Sequence, residues 1–583
     1  MLYGPVDKAL LDFLHHPLQN SIYLESIKQP SRILQLVARI PLLCNMLSSR
    51  QIFRLLAFKL RLEIASLKID LDQCLSADPR PPCMDDYRRF LDTLKGYFNI
   101  DLPLPPANAP EQAFEQRRQH IESHLLAKLG YTCNRITENL QLPSSYNLST
   151  LRHSRLWLAY YLSETLFLMA QGLIDGRMRT GCLVLRFSPQ LERSLKSYWL
   201  SETSEFHSKY ADLRQLQSMQ QVLAQQGRLP PPLADLLVDQ LLDKCLSIHA
   251  EYIQGDLKNS PLYQYLREIV YIAGHIEIRA LGGQRRTHYS EFAGQVSLAT
   301  LDLMASALGG PDPAPFNSPQ SFIQIENGFY LRGALDLKYG LKKVVGHLLL
   351  KKKNPGSQRD FGQTLGNNFE RDYIVQYIRA LESRRFKLHD ELKAGNHAQI
   401  KGYDVDFVLH DQEYDCYYFI QVKYRLSDQP TYLSEQYHLL FREEFHRGYA
   451  KQLLILKQHL DHDSIRKKLA QNGLSGAQRH NSHFILLHNL PFLNFHQAQG
   501  VCFYEWNLFR NLLKNGLHSI IGPNGTTEET LLGDEQLWQP ERIVEAHFQD
   551  TPSGRHNRFN YNCYRASKVH YQFADLKVVS DLF

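Results

Sequence analysis

The stretch that decides the fold reads Gly402-Tyr403-Asp404-Val405-Asp406-Phe407-Val408-Leu409, then a polar turn, then Tyr418-Phe419-Ile420-Gln421-Val422-Lys423-Tyr424. Both runs read as strands, 400–409 and 417–424, joined by His410-Asp411-Gln412-Glu413-Tyr414-Asp415. Strand side chains alternate between faces. Asp404, Asp406 and Val408 therefore share one face of the first strand, with Val405, Phe407 and Leu409 on the other. Gln421 and Lys423 share a face of the second. A hairpin turn centred near Gln412 and Glu413 sets Asp404 and Asp406 roughly across from Gln421 and Phe419. Asp406, Gln421 and Lys423 then converge at one end of the sheet, with Asp404 read as a solvated neighbour or, in the alternative, a ligand.

A carboxylate, an amide oxygen and an ammonium in one place suit phosphodiester hydrolysis. Mg²⁺ (or Mn²⁺) is a hard ion that takes oxygen ligands and keeps several waters, so one or two carboxylates and a carbonyl oxygen suffice. Such an ion acidifies a bound water and offsets charge on the phosphate. A lysine beside it stabilises the transition state as a compact charge. The preceding segment, 361–381, reads as a helix, and Glu370 lies in register with Ile374, Tyr377 and Leu381 along its apolar stripe. An acid facing a core needs a partner, and a site at the strand ends supplies one.

A helix carrying a glutamate, then Gly-x-Asp-x-Asp, then an apolar strand ending Gln-Val-Lys-Tyr-Arg resembles the PD-(D/E)XK nuclease superfamily, the restriction-endonuclease-like fold. Gln421 stands where the commoner residue is Glu or Asp. Gln-x-Lys versions occur in Mrr-type restriction endonucleases and in the endonuclease subunit of Tn7-type transposition. The resemblance covers about residues 360–515. It implies a metal-dependent DNA endonuclease in which Asp406 and Gln421 are metal ligands, Lys423 is the catalytic lysine and Glu370 is a supporting acid or further ligand. By the same analogy the setting is bacterial defence, antiviral defence included, or mobile-element biology. The alternatives are an inactive nuclease fold that binds nucleic acid and a helical scaffold for interactions. The signal is the ordered set: Asp336-Leu337-Lys338 and Asp575-Leu576-Lys577 share the tripeptide but lack the acidic strand and helix before it.

Working outward, helix and strand alternate: a strand at 386–392, a long helix at 433–460, short strands at 484–487 and 501–504, and a helix from 507. That alternation indicates an α/β domain with a mixed central sheet. The N-terminal region is mostly α in pattern, with apolar residues returning at three- and four-residue steps, including 87–98, 113–129, 151–168, 233–246 and 263–276. Residues 321–325 and 329–337 read as a hairpin around Asn327-Gly328. The divisions expected are 1–310 (all helical, role open), 311–358 (hairpin and basic connector), 359–515 (nuclease-like domain) and 516–583 (C-terminal extension).

Basic residues flank that domain. Lys351, Lys352 and Lys353 precede it, Arg425 follows the candidate lysine, and Arg555, Arg558 and Arg565 alternate with aromatics near the end. Phosphate contacts and base stacking are the functional reading of these groups. The whole chain of 583 residues carries a net charge of only +6, with 43% apolar and 22% charged residues, which excludes wholesale disorder. Its nine cysteines form no C-x-x-C pair, which argues against zinc ribbons and secreted disulfide frameworks. No phosphate-binding loop and no Gly-x-Ser-x-Gly elbow is present. His459 and His462 sit at helical spacing without a third ligand. The partners expected are DNA, a second copy of the chain or a separate motor or recognition subunit, with no membrane and a cytoplasmic location.

Overall fold

The computed structural model describes residues 8–15, 17–18, 20–74, 100–101, 151–179, 182–309, 318–333, 337–354, 358–395, 398–426, 433–438, 440, 443–490, 493–515, 517–521, 527–531, 537–552 and shorter stretches up to 580. The expected helices at 87–98 and 113–129 lie outside the described residues. The chain forms two compact units: Met1–Leu195 with Pro430–His438 and Asp550–Phe583, and Lys196–Gln429 with Leu439–Gln549. These cut across the four segments read from the sequence.

The first unit is not all helical. Helices Ser49–Cys74 and Leu151–Ala170 pack on a five-stranded sheet ordered Ile100–Asp101, Lys568–Phe573, Leu576–Ser580, Cys182–Phe187, Ile174–Arg179. The strand Leu576–Ser580 pairs in parallel with Cys182–Phe187, so the sheet joins residues almost 400 positions apart. A local window cannot see such a partner, and the polar run Ile174-Asp175-Gly176-Arg177 gives little strand signal. Gly176 has a packing reason: a Cβ there would stand 2.9 Å from Ile52 of the Ser49–Cys74 helix.

In the second unit, helices Pro231–Leu246 and Pro261–Leu281 start where proline sits in the first turn, where its missing N–H costs nothing. The hairpin Ile323–Glu326 and Phe329–Arg332 turns at Asn327-Gly328, both with positive φ. The site is carried by a six-stranded mixed sheet ordered His496–Ala498, Val501–Glu505, Ser482–His488, Cys416–Lys423, Phe407–Asp411, Phe386–His389. Ser482–His488 lies parallel to both Cys416–Lys423 and Val501–Glu505, and the remaining pairs are antiparallel. Cys416–Lys423 is buried along nearly its whole length, which is why it reads as an almost unbroken apolar run.

The parallel crossover passes through the helical run Glu443–Gly448, Tyr449–Leu453 and Leu454–Gln458. This run covers the face bearing Gln421, Lys423, Leu486 and Phe503, where Tyr449 meets Phe503 ring to ring at 5.6 Å. The run Phe361–Asn367, Asn368–Val375, Gln376–Ala380 covers the opposite face: Phe369 meets Tyr424 at 5.1 Å, and Tyr373 and Tyr377 both pack edge-on to Trp506. Both runs contain a π-helical stretch, Asn368–Val375 and Tyr449–Leu453. An i→i+5 turn shifts every later side chain around the helix relative to an α-helical count.

The hairpin register differs from the sequence expectation by two residues. Asp411 pairs with Cys416 and Phe407 with Ile420, so Asp406, not Asp404, comes opposite Gln421. The turn is centred one residue later than expected, with Asp415 at positive φ closing it. Among the described residues no helix is long and apolar enough to cross a membrane.

Candidate functional site

The site forms where the hairpin strands part. Ladder pairing runs from Asp411 to Phe407, and the Asp406 N–H still donates to Ile420 O at 2.9 Å. Beyond that point the first strand bends away as Asp404–Val405, following Leu392–Lys393 in the same register that pairs His389 with Val408. The Val422 N–H, whose next ladder acceptor would have been a backbone carbonyl, donates instead to Asp406 Oδ2 at 2.6 Å. Gln421 Nε2 donates to the same oxygen at 2.7 Å.

Asp406, Gln421, Lys423 and Glu370 come together, as do two residues the sequence reading left aside. Asp404 is half-buried, not solvated: Gln452 Nε2 from the crossover helix donates to its Oδ2 at 3.0 Å, and Lys393 Nζ lies 4.0 Å from its Oδ1. The extra π-turn residue brings Gln452 to this position. Lys393 also pairs with Glu391 at 2.7 Å. Room for Lys423 is made by Gly448, where a Cβ would stand 2.8 Å from Lys423 Cε and 2.7 Å from Leu486 Cδ1.

Electrostatically the acids are under strain. Burial pushes the Asp406 carboxyl up to about 7, and the charge of Glu370 adds to the rise; the Val422 N–H and the Lys423 ammonium oppose it. Burial also raises Glu370, with Asp404 adding, against the cations of Arg371, Lys393 and Lys423. Lys423 is lowered by burial, against the pull of Asp406, Asp404 and Glu370. Groups whose environments oppose their charged forms, clustered at one point, mark functional sites more often than structural ones.

Hydrogen bonding is incomplete in the same place. Gln421 is 3% exposed, yet its Oε1 has no hydrogen-bond partner. Gln452 Oε1 shares that state, and Asp404 Oδ1 is buried with no hydrogen bond beside its 4.0 Å ion pair to Lys393. Buried acceptors without donors are costly and rare. Oxygens in this condition beside two strained carboxylates fit a hard cation, which takes carboxylate and amide oxygens alike. Among the described residues no group of three His, Cys, Asp or Glu side chains is placed to hold an ion by itself. An ion here would therefore depend on the Gln421 amide oxygen and on water.

Lys351, Lys352 and Lys353 are exposed beyond the end of helix Leu337–Leu349. Arg425 follows Lys423 by two residues, and its backbone is held by Asn489 at 2.8 and 2.9 Å. Arg555 and Arg558 both pair with Asp550, at 3.9 and 2.7 Å. Arg565 lies outside the described residues. His462 caps helix Asp463–Gln471, its Nδ1 accepting from the Ser464 N–H at 3.3 Å.

Comparison with protein families, with curated proteins and with solved structures returns no match for the chain. The functional reading rests on geometry.

Proposed function

We propose that the chain is a metal-dependent DNA endonuclease whose second unit carries a restriction-endonuclease-like domain. The observation that supports this best is the meeting of Glu370, Asp406, Gln421 and Lys423 at a parted strand end, with a buried amide oxygen left unsatisfied there. Asp406, Gln421 and Glu370 would hold Mg²⁺ or Mn²⁺. Bound there, the ion would supply an acidified water and offset charge on the phosphate. Lys423, held beside Asp406 by burial against Gly448, contributes a fixed positive charge to the phosphate and its attacking water. Val422 and Gln421 fix the orientation of the Asp406 carboxylate. Gln452 does the same for Asp404. One such site cuts one strand, so a double-strand break calls for a second copy or a second encounter.

The test is cleavage of plasmid, linear, single-stranded and branched DNA, with RNA alongside, in Mg²⁺ or Mn²⁺. The wild type is compared with Asp406→Ala and Lys423→Ala. The expected loss in each variant is about 10²–10³-fold, the scale seen when one preorganised electrostatic group is removed. Cleavage that survives both substitutions contradicts the assignment. Binding without cleavage by the wild type points to an inactive nucleic-acid-binding module.

A further inference from the structure

Three cations outside the catalytic set surround its mouth, each from a different element. Arg371 stands on the Asn368–Val375 helical stretch, Lys393 on the short strand Leu392–Lys393 and Arg447 on the crossover helix Glu443–Gly448. Arg371 Nε lies 3.9 Å from Glu370, and Lys393 Nζ lies 2.7 Å from Glu391 and 4.0 Å from Asp404; both cations act on Glu370 and on Glu391, so they share one flank. Arg447 acts on Lys423 and stands next to Gly448, against which Lys423 lies, on the other flank. Their charge is open to water: Arg371 is 67% exposed, Lys393 is 45% exposed and Arg447 is exposed. Lys423, by contrast, is drawn inward to the three acids.

We propose that Arg371 and Lys393 on one flank and Arg447 on the other bind the phosphates either side of the scissile one. The backbone of the nucleic acid would then thread between the Leu392–Lys393 edge and the crossover helix. This rests on the nuclease reading of the site. The physical reason is charge balance. Glu370, Asp404 and Asp406 repel a polyanion, and with a divalent ion bound Lys423 only brings the three acids to balance, which leaves nothing over to attract the neighbouring phosphates. A strand brought to this site needs cations at its neighbouring phosphates, and these three act on the acids or on Lys423 and also face solvent. They are positioning residues: they hold the substrate in register while Lys423 meets the reacting phosphate. The basic groups named from the sequence, Lys351 to Lys353 and Arg555 to Arg558, are not needed for this register.

The experiment measures binding of a labelled DNA duplex by anisotropy in Ca²⁺, over a series of KCl concentrations. The proteins compared are the full-length wild type, Arg371→Gln, Lys393→Gln, Arg447→Gln and the control Lys387→Gln on the far end of the sheet. Each lost phosphate contact is expected to reduce the slope of log K against log salt by about 0.9. Each rim variant should show that reduction, and Lys387→Gln should not. Steady-state cleavage should show KM for DNA rising more than kcat falls in the rim variants. Unchanged slopes in all three, with the wild type cutting DNA, overturn the rim and leave the nuclease reading standing. Reduced slopes with no cleavage by the wild type support the rim and count against catalysis. No DNA binding by the wild type overturns both.

Discussion

Two aspartates of one strand region show how differently this protein treats an acid. Asp411 lies at the turn end of Phe407–Asp411 and is fully buried. Arg385 meets it through Nε and Nη2 at 2.8–3.0 Å, and the Glu413 N–H adds a bond at 3.2 Å. Both its oxygens have firm donors. Asp406 lies five residues earlier, at the end where the strands part. Its Oδ2 accepts from both Gln421 Nε2 and the Val422 N–H, and Gln421 and Gln452 each have a buried oxygen with no donor. A buried acid with donors on both oxygens fastens a turn, whereas one bonded through a single oxygen, beside the orphaned oxygens of Gln421 and Gln452, leaves a place for something the chain does not itself contain.

The largest expected effect separates the two acids by outcome. Asp406→Ala and Lys423→Ala should lose cleavage while remaining folded. Asp411→Ala should instead lower stability, by roughly 2–3 kcal/mol, less than the ~3–5 kcal/mol of a fully buried broken pair because Arg385 retains partial access to water. Chemical denaturation of the purified variants reads the second effect, and equal loss of stability at both positions would erase the contrast.

Next in size is Gly448→Ala. Its methyl group would press on Lys423 Cε and Leu486 Cδ1, displacing the lysine by a few tenths of an ångström or more. Misplacement on that scale is expected to cost about tenfold in kcat, short of the ~10²-fold that a full 1 Å shift can bring. Wild-type rates in this variant would mean that Lys423 is free to find another path.

The smallest effect is a pH dependence. The Asp406 carboxyl is raised from 3.8 unfolded to about 7 folded. Below the lower value both states hold the proton. Between the two, the folded state keeps a proton the unfolded state has released, so stability is present at low pH and is lost as pH rises through about 7. Asp406→Asn removes that loss and should gain on the wild type as pH rises from 5 to 8, by on the order of 1 kcal/mol. Mg²⁺ should stabilise the wild type at pH 8 and do little for the variant. A variant that loses stability across this range would show that the carboxylate is already well compensated.

The four residues first singled out lie in segments whose periodicity is short and local. Strand alternation places Gln421 and Lys423 on one face, and the acid-bearing helix precedes them directly. What the sequence hid depends on departures from regular geometry. Asp404 joins the site because the strand bends away at Asp406, pairs with Leu392–Lys393 and so brings its carboxylate to Gln452 and Lys393. Gln452 arrives through a π-turn that an α-helical count does not contain. Lys393 belongs to a two-residue strand too short to show a pattern. Gly448 carries no signal beyond being a glycine in a helix, where it is unfavourable unless something needs the space. The strands Ile174–Arg179 and Cys182–Phe187 were read as helical surroundings because their sheet partner lies at the far end of the chain.

The contrast between the two aspartates is also the most direct test of the account. Supercoiled plasmid in Mg²⁺ is incubated with wild type, Asp406→Asn and Asp411→Asn at a temperature where all three remain folded. The account predicts cleavage by wild type and by Asp411→Asn, and none above background by Asp406→Asn. Equal cleavage by all three proteins would contradict it.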